Sequence, residues 1–176
     1  MKRTTIKLLL LSTLILTQSA CSKKDNLDKI KIEEKNLTPC QPNKTCQYLF
    51  TENADIDGHY KMNTGSYRLF WASQKSEGIE SVFYIRTPMK GDNFELGKTE
   101  ILRGDVKYLN ICPACNTIPL KAVDGYVKGV NLTPGKQADQ TKWLLEMQIV
   151  LQAEGANGTT ETVSLKQIYY PNFVYN

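Results

Sequence analysis

Residues 142–152, Lys142-Trp143-Leu144-Leu145-Glu146-Met147-Gln148-Ile149-Val150-Leu151-Gln152, decide the fold class. Trp143, Leu145, Met147, Ile149 and Leu151 fall at every second position, with Leu144, Glu146, Gln148, Val150 and Gln152 between them. Successive side chains of a strand point to opposite faces, so five apolar residues at period two predict a strand with one face in a core. A polar connection containing Asn157-Gly158 follows, and then Val163, Leu165, Gln167 and Tyr169 alternate against Thr162, Ser164 and Lys166. The two runs predict a long antiparallel hairpin, with Asn-Gly suited to the positive φ angles of its turn. Pro171 lacks the N–H that further pairing would need.

Moving back along the chain, the same signal recurs in shorter pieces. Residues 45–51 (TCQYLFT), 66–73 (SYRLFWAS) and 80–87 (ESVFYIRT) are β-branched and aromatic, and turn residues Gly65-Ser66, Glu77-Gly78 and Gly91-Asp92-Asn93 bound them. Residues 105–111 and 125–130 are shorter strand candidates, with breaks at Gly104 and Pro119. Short strands separated by turns, with no long helix, predict an all-β domain over residues 39–176. The expected architecture is an antiparallel β-sandwich or β-barrel, which the pattern does not separate.

The N-terminus is different in kind. Lys2, Arg3 and Lys7 precede the apolar block 8–16 (LLLLSTLIL), and the small and polar residues Thr17, Gln18, Ser19 and Ala20 lead to Cys21. The block is too short for the ~20 residues of a membrane-spanning helix and matches a removable export signal. Together with Cys21 it resembles the lipobox of bacterial lipoproteins, although Gln18 stands where that family usually carries an aliphatic residue. The resemblance covers residues 1–21. It implies cleavage after residue 20, lipidation of Cys21 (the palmitate-type acylation of that family), and anchoring to a membrane of the bacterial cell envelope. Residues 21–38, charged and poor in aromatics, then read as a flexible tether.

This leader also explains the charge. The chain carries 22 Lys and Arg against 18 Asp and Glu, a formal +4. Removing the three cations of residues 1–20 leaves 19 against 18, a net +1. A nearly neutral domain offers no electrostatic case for nucleic acid.

Four cysteines remain after Cys21. In an exported domain they read first as disulfides; of three possible pairings the local one joins Cys40 to Cys46 and Cys112 to Cys115 and needs no assumption about the fold, while the two crossed ones would staple the entry segment to the middle of the domain. Two sharper readings compete. Cys112-Pro113-Ala114-Cys115 looks like the Cys-x-x-Cys of thioredoxin-like proteins, but Pro119 follows too closely for the helix which that chemistry uses. With Ile111 and Asn116 the same motif resembles a zinc knuckle, in which Cys40, Cys46, Cys112 and Cys115 would hold a metal.

Asn53, Asp55 and Asp57, followed by Gly58, match the start of a calcium loop, but Thr64 stands at the twelfth position instead of a glutamate. The simpler expectation is a polar loop. His59 is the only histidine and no Gly-x-Ser-x-Gly motif accompanies it. Aromatic residues cluster at Tyr67, Phe70 and Trp71 and again at Tyr169, Tyr170, Phe173 and Tyr175, as core pairs or as a face for a ligand such as a saccharide. The sequence therefore points to a membrane-anchored envelope lipoprotein with a non-enzymatic β domain for a ligand or an envelope protein. The alternative is an exported zinc or thiol-redox protein built on Cys112 and Cys115.

Overall fold

The computed structural model describes residues 30–115, 118–155 and 158–173. The leader, Cys21, the first part of the tether, Asn116, Asn157 and Tyr175 lie outside the described residues. In chain order the elements are β1 (Thr45–Ile56), β2 (Met62–Thr64), β3 (Tyr67–Ser76), β4 (Ile79–Pro88), β5 (Asn93–Leu96), α1 (Lys98–Arg103), β6 (Val106–Ile111), β7 (Leu120–Asn131), a 3-10 turn (Ala138–Gln140), β8 (Trp143–Ala153) and β9 (Thr160–Pro171).

The two C-terminal runs form the expected antiparallel hairpin, in register from Trp143 opposite Tyr169 to Gln152 opposite Thr160. The strands follow the order β5-β7-β8-β9-β1-β3-β4-β6, with β2 added to β1. One feature departs from the antiparallel expectation. β1 and β9 run parallel, through Leu49 opposite Tyr170 and Phe50 opposite Pro171. This short parallel join links the first long strand to the last and makes one continuous mixed sheet. Pro171 falls at the join, and the N–H of Asn172 then donates to the Phe50 carbonyl at 2.7 Å.

Strand spacing shows that the sheet is curled. Five strand intervals separate Phe70 on β3 from Phe94 on β5, about 24 Å in a flat sheet. Their ring centroids are 5.5 Å apart, so the sheet rolls its two wings toward each other. The result is a half-barrel, a barrel-like form of the expected all-β class. Trp143, Leu145, Met147, Ile149 and Leu151 all face its interior and are at most 2% exposed. Phe70 sits at the centre, edge-on to Trp143 and Tyr169 and tilted against Phe50 and Phe94.

Two local devices make this packing fit. Gly129 on β7 lies opposite Phe94, and a Cβ there would overlap the Phe94 ring. The helix α1 lies against β7 and β6 and drops Ile101 into the interior. Gly104, with φ 90°, ends that helix. On the outer face a second, small cluster gathers Ala54, Ile56 and Leu69 under Tyr60, Met62 and Tyr84.

The entry segment is fastened to the domain one residue before the expected boundary. The Thr38 N–H donates to the Lys166 carbonyl at 2.9 Å, and Gln167 Nε2 donates to the Thr38 carbonyl at 2.6 Å. Thr38 thus takes up the side of β9 that β1 leaves unpaired.

Candidate functional site

The site begins with one extra residue in β1. Thr51 pairs with Leu69, and the next pair is Ala54 with Tyr67, so Glu52 and Asn53 together oppose Arg68. This is the count of a β-bulge, which bends a strand and redirects its side chains. Asn53 takes the left-handed backbone conformation, φ 54°, which asparagine tolerates better than most residues. Its carbonyl accepts the Gly65 N–H at 2.8 Å. Before the bulge Phe50 faces the interior; after it Ala54 and Ile56 face the outer cluster.

Beside the bulge, Arg68 is 7% exposed. Its Nε and Nη2 donate to Glu52 Oε1 at 3.1 and 3.0 Å, and Nη2 also donates to the Met89 carbonyl at 3.1 Å. The guanidinium lies over the Trp143 ring, 4.3 Å from its centroid. A delocalised cation over an indole face is favourable, more so when water is excluded. Nη1 makes no hydrogen bond among the described residues, and Trp143 Nε1 is buried without a partner.

These groups line an open cavity of about 420 Å3 at one end of the half-barrel. Phe50 and Trp143 supply apolar walls, and Phe173, 60% exposed, stands at the rim. Among the described residues, its charged lining is two cations, Arg68 and Lys136, and one acid, Glu52. A second cavity of about 470 Å3 opens in the seam between β6 and β7, beside Ile101, Tyr108 and Leu120. It contains no buried cation, and its charged lining groups, Lys107, Lys121 and Glu154, are partly or fully exposed.

The cysteines fall into the two local pairs. The Cα atoms of Cys40 and Cys46 are 5.9 Å apart, and those of Cys112 and Cys115 are 5.2 Å apart, both disulfide distances. Cys46 lies opposite Gln74, which lies opposite Ser81, which lies opposite Asn110. Three strand spacings, roughly 14 Å, therefore separate Cys46 from the strand leading to Cys112. The four sulfurs do not converge on one tetrahedral centre.

Asn53 and Asp55 belong to β1, and only Asp57 lies in the turn before β2. Asp55 pairs with Arg86 at 3.1 Å. Asp57 Oδ1 accepts the backbone N–H groups of His59 and Lys61 at 2.8 and 2.9 Å. Those bonds, Lys61 first, hold the Asp57 carboxyl below its ordinary range. Asp55 thus serves an ion pair and Asp57 a turn, while Asn53 contributes its backbone to the bulge. Among the described residues no three His, Cys, Asp or Glu side chains gather closely enough to hold a metal ion. His59 is exposed in the same turn.

Of the aromatic candidates, Phe70 and Tyr169 are fully buried in the interior and Trp71 is 9% exposed. Tyr170 and Phe173 remain exposed. Sequence reasoning missed Arg68 and Glu52. A single signal was available: Arg68 interrupts an aromatic run on the core-facing register of Phe70. No protein-family model, curated protein or solved structure matches this chain.

Proposed function

We propose that the chain is an exported lipoprotein, anchored through acylated Cys21, whose half-barrel binds a small polar ligand in the cavity beside Arg68. The observation that carries the binding half is the buried guanidinium with one nitrogen left over, in an open cavity with both apolar and hydrogen-bonding walls. Ligand sites combine apolar surface with a few placed polar groups in this manner. The location rests on the basic, apolar and small-residue order of residues 1–20 ahead of Cys21. Burial of two or more acyl chains gives a durable anchor. Among the described residues no helix is long and apolar enough to cross a membrane.

Both halves have direct tests. Mass spectrometry of the mature protein, expressed in a bacterial host, should find acylated Cys21 as the first residue; an unmodified Cys21 or a different cut ends the anchoring reading. For the cavity, saccharides and saccharide acids are screened for a rise in Tm of the full-length protein and of Ala138→Trp. Ala138 is exposed at the cavity wall, and an indole there fills the space. A ligand that stabilises the wild type and not Ala138→Trp supports the reading. Equal shifts in both proteins, or none, refute it.

A further inference from the structure

We propose that the cavity recognises an oxyanion, the carboxylate or phosphate of a small ligand, held by Arg68 Nη1 and drawn in by Lys136. The inference rests on the cavity reading above and names the chemistry of its ligand.

The argument starts from the donors. Arg68 has five N–H groups in a rigid plane. Glu52 and the Met89 carbonyl take those of Nε and Nη2, which leaves Nη1 with two hydrogens and no acceptor among the described residues. Although Arg68 is only 7% exposed, Nη1 is reached from the open cavity, so its two hydrogens face water there and are available to an acceptor on a ligand. The group is also held in place. Glu52 fixes one edge of the guanidinium, Met89 another, and Trp143 lies under its face. Fixing the donor beforehand lowers the ordering cost of binding.

Charge then selects among acceptors. Glu52 offsets one positive charge, and Lys136 leaves the lining at net +1, two cations against one acid. A neutral hydroxyl would satisfy Nη1 equally in number but gains nothing from that excess. An oxyanion gains a charge-assisted bond, which is shorter and stronger than a neutral one. Phe50, Trp143 and Phe173 give the remainder of the ligand apolar surface, so the fitting molecule has an oxyanion and a compact body.

The chain has two tryptophans, so its NMR spectrum shows two indole N–H signals. The Trp71→Phe variant identifies that of Trp143. Full-length protein in a zwitterionic detergent is titrated with sodium glucuronate, inorganic phosphate and neutral glucose, at ionic strength held constant with chloride. The expected result is a saturable movement of the Trp143 signal with glucuronate or phosphate and a weaker response to glucose. Which oxyanion binds more tightly distinguishes a sugar acid from free phosphate. Lys136→Glu, on an exposed loop, reverses the net charge of the lining from +1 to −1 and should weaken oxyanion binding about tenfold or more. Arg68→Gln should abolish it in folded protein; if that variant does not fold, Lys136→Glu carries the test. Glucose binding as tightly as the oxyanions, or oxyanion binding unchanged in Lys136→Glu, overturns the oxyanion assignment and leaves the cavity reading standing. No movement with any of the three, together with no stabilising ligand in the saccharide screen, overturns both.

Discussion

Replacing Gly129 by alanine should destabilise the protein, although alanine normally suits a strand better than glycine. The new methyl would project from β7 into the Phe94 ring. Phe94 has little room to yield. It is 8% exposed, and its centroid lies 5.5 Å from Phe70 and 5.9 Å from Trp143. Forcing an extra carbon into such packing costs about 1–3 kcal/mol. Restricting the unfolded chain returns about 0.4–1 kcal/mol of that. The net loss is therefore about 1–2 kcal/mol, which at ~2–4 °C per kcal/mol for a domain of this size lowers Tm by about 2–8 °C. Urea denaturation of wild type, Gly129→Ala, Phe94→Leu and the double variant measures the coupling. In the Phe94→Leu background the alanine should cost much less or nothing, because the two nearest atoms it meets, Cε1 and Cζ, are gone. The Trp143 indole signal should move in Gly129→Ala, since Phe94 supports that ring. A neutral or stabilising Gly129→Ala in the wild type, or the same loss in both backgrounds, would refute the packing argument.

Glu52→Gln should cost about 1–2 kcal/mol, discounted because the Glu52 side chain is itself 37% exposed, and a double-mutant cycle with Arg68→Met should show about 1 kcal/mol of coupling; strict additivity in urea midpoints would count against the pair. Changing Cys112 and Cys115 to serine reopens a loop of four residues, worth about 2 kcal/mol on a loop-entropy estimate. Glu80, the rung of β4 next to this disulfide, and Thr87, the rung beside Arg68, are seven residues apart, about 23 Å. The Trp143 signal and its ligand response should accordingly stay unchanged while the urea midpoint falls. Burial, reinforced by Tyr48, pushes the Tyr169 hydroxyl far above its ordinary value. Its stabilising effect is complete below the unfolded pKa of about 10 and is lost as pH rises above it, because only the unfolded chain then ionises. Tyr169→Phe should flatten the alkaline fall in Tm and, since that hydroxyl has no partner among the described residues, leave stability at pH 7 unchanged or up to ~1 kcal/mol higher. A clear loss at pH 7 would mean that the hydroxyl is bonded.

The strands were legible because alternation is a local property. Trp143 to Leu151 declare one buried face within a single strand, whatever packs against it. The seven strands of the sequence reading all appear, some lengthened by several residues. Short elements did not announce themselves: β5 has four residues and α1 six, too few for a period to repeat. The region around Asn53 misled for a related reason. Its Asn and Asp residues look like a polar loop, but they carry β1 through a bulge whose partner, Arg68, is fifteen residues further on.

The cysteine pairs were legible because they close loops of only a few residues and need no fold to bring them together. By itself, then, the sequence determined the all-β class and the main strands, and it offered the local cysteine pairing as one reading among several. Only the tertiary structure decided that the sheet curls into a half-barrel, that β1 and β9 join in parallel, and that Arg68 lies over Trp143 beside Glu52. Period-two alternation says which face of a strand is buried, not which distant strand covers it. Arg68 and Trp143 are 75 positions apart and meet only because three strand intervals of the sheet bend into an arc.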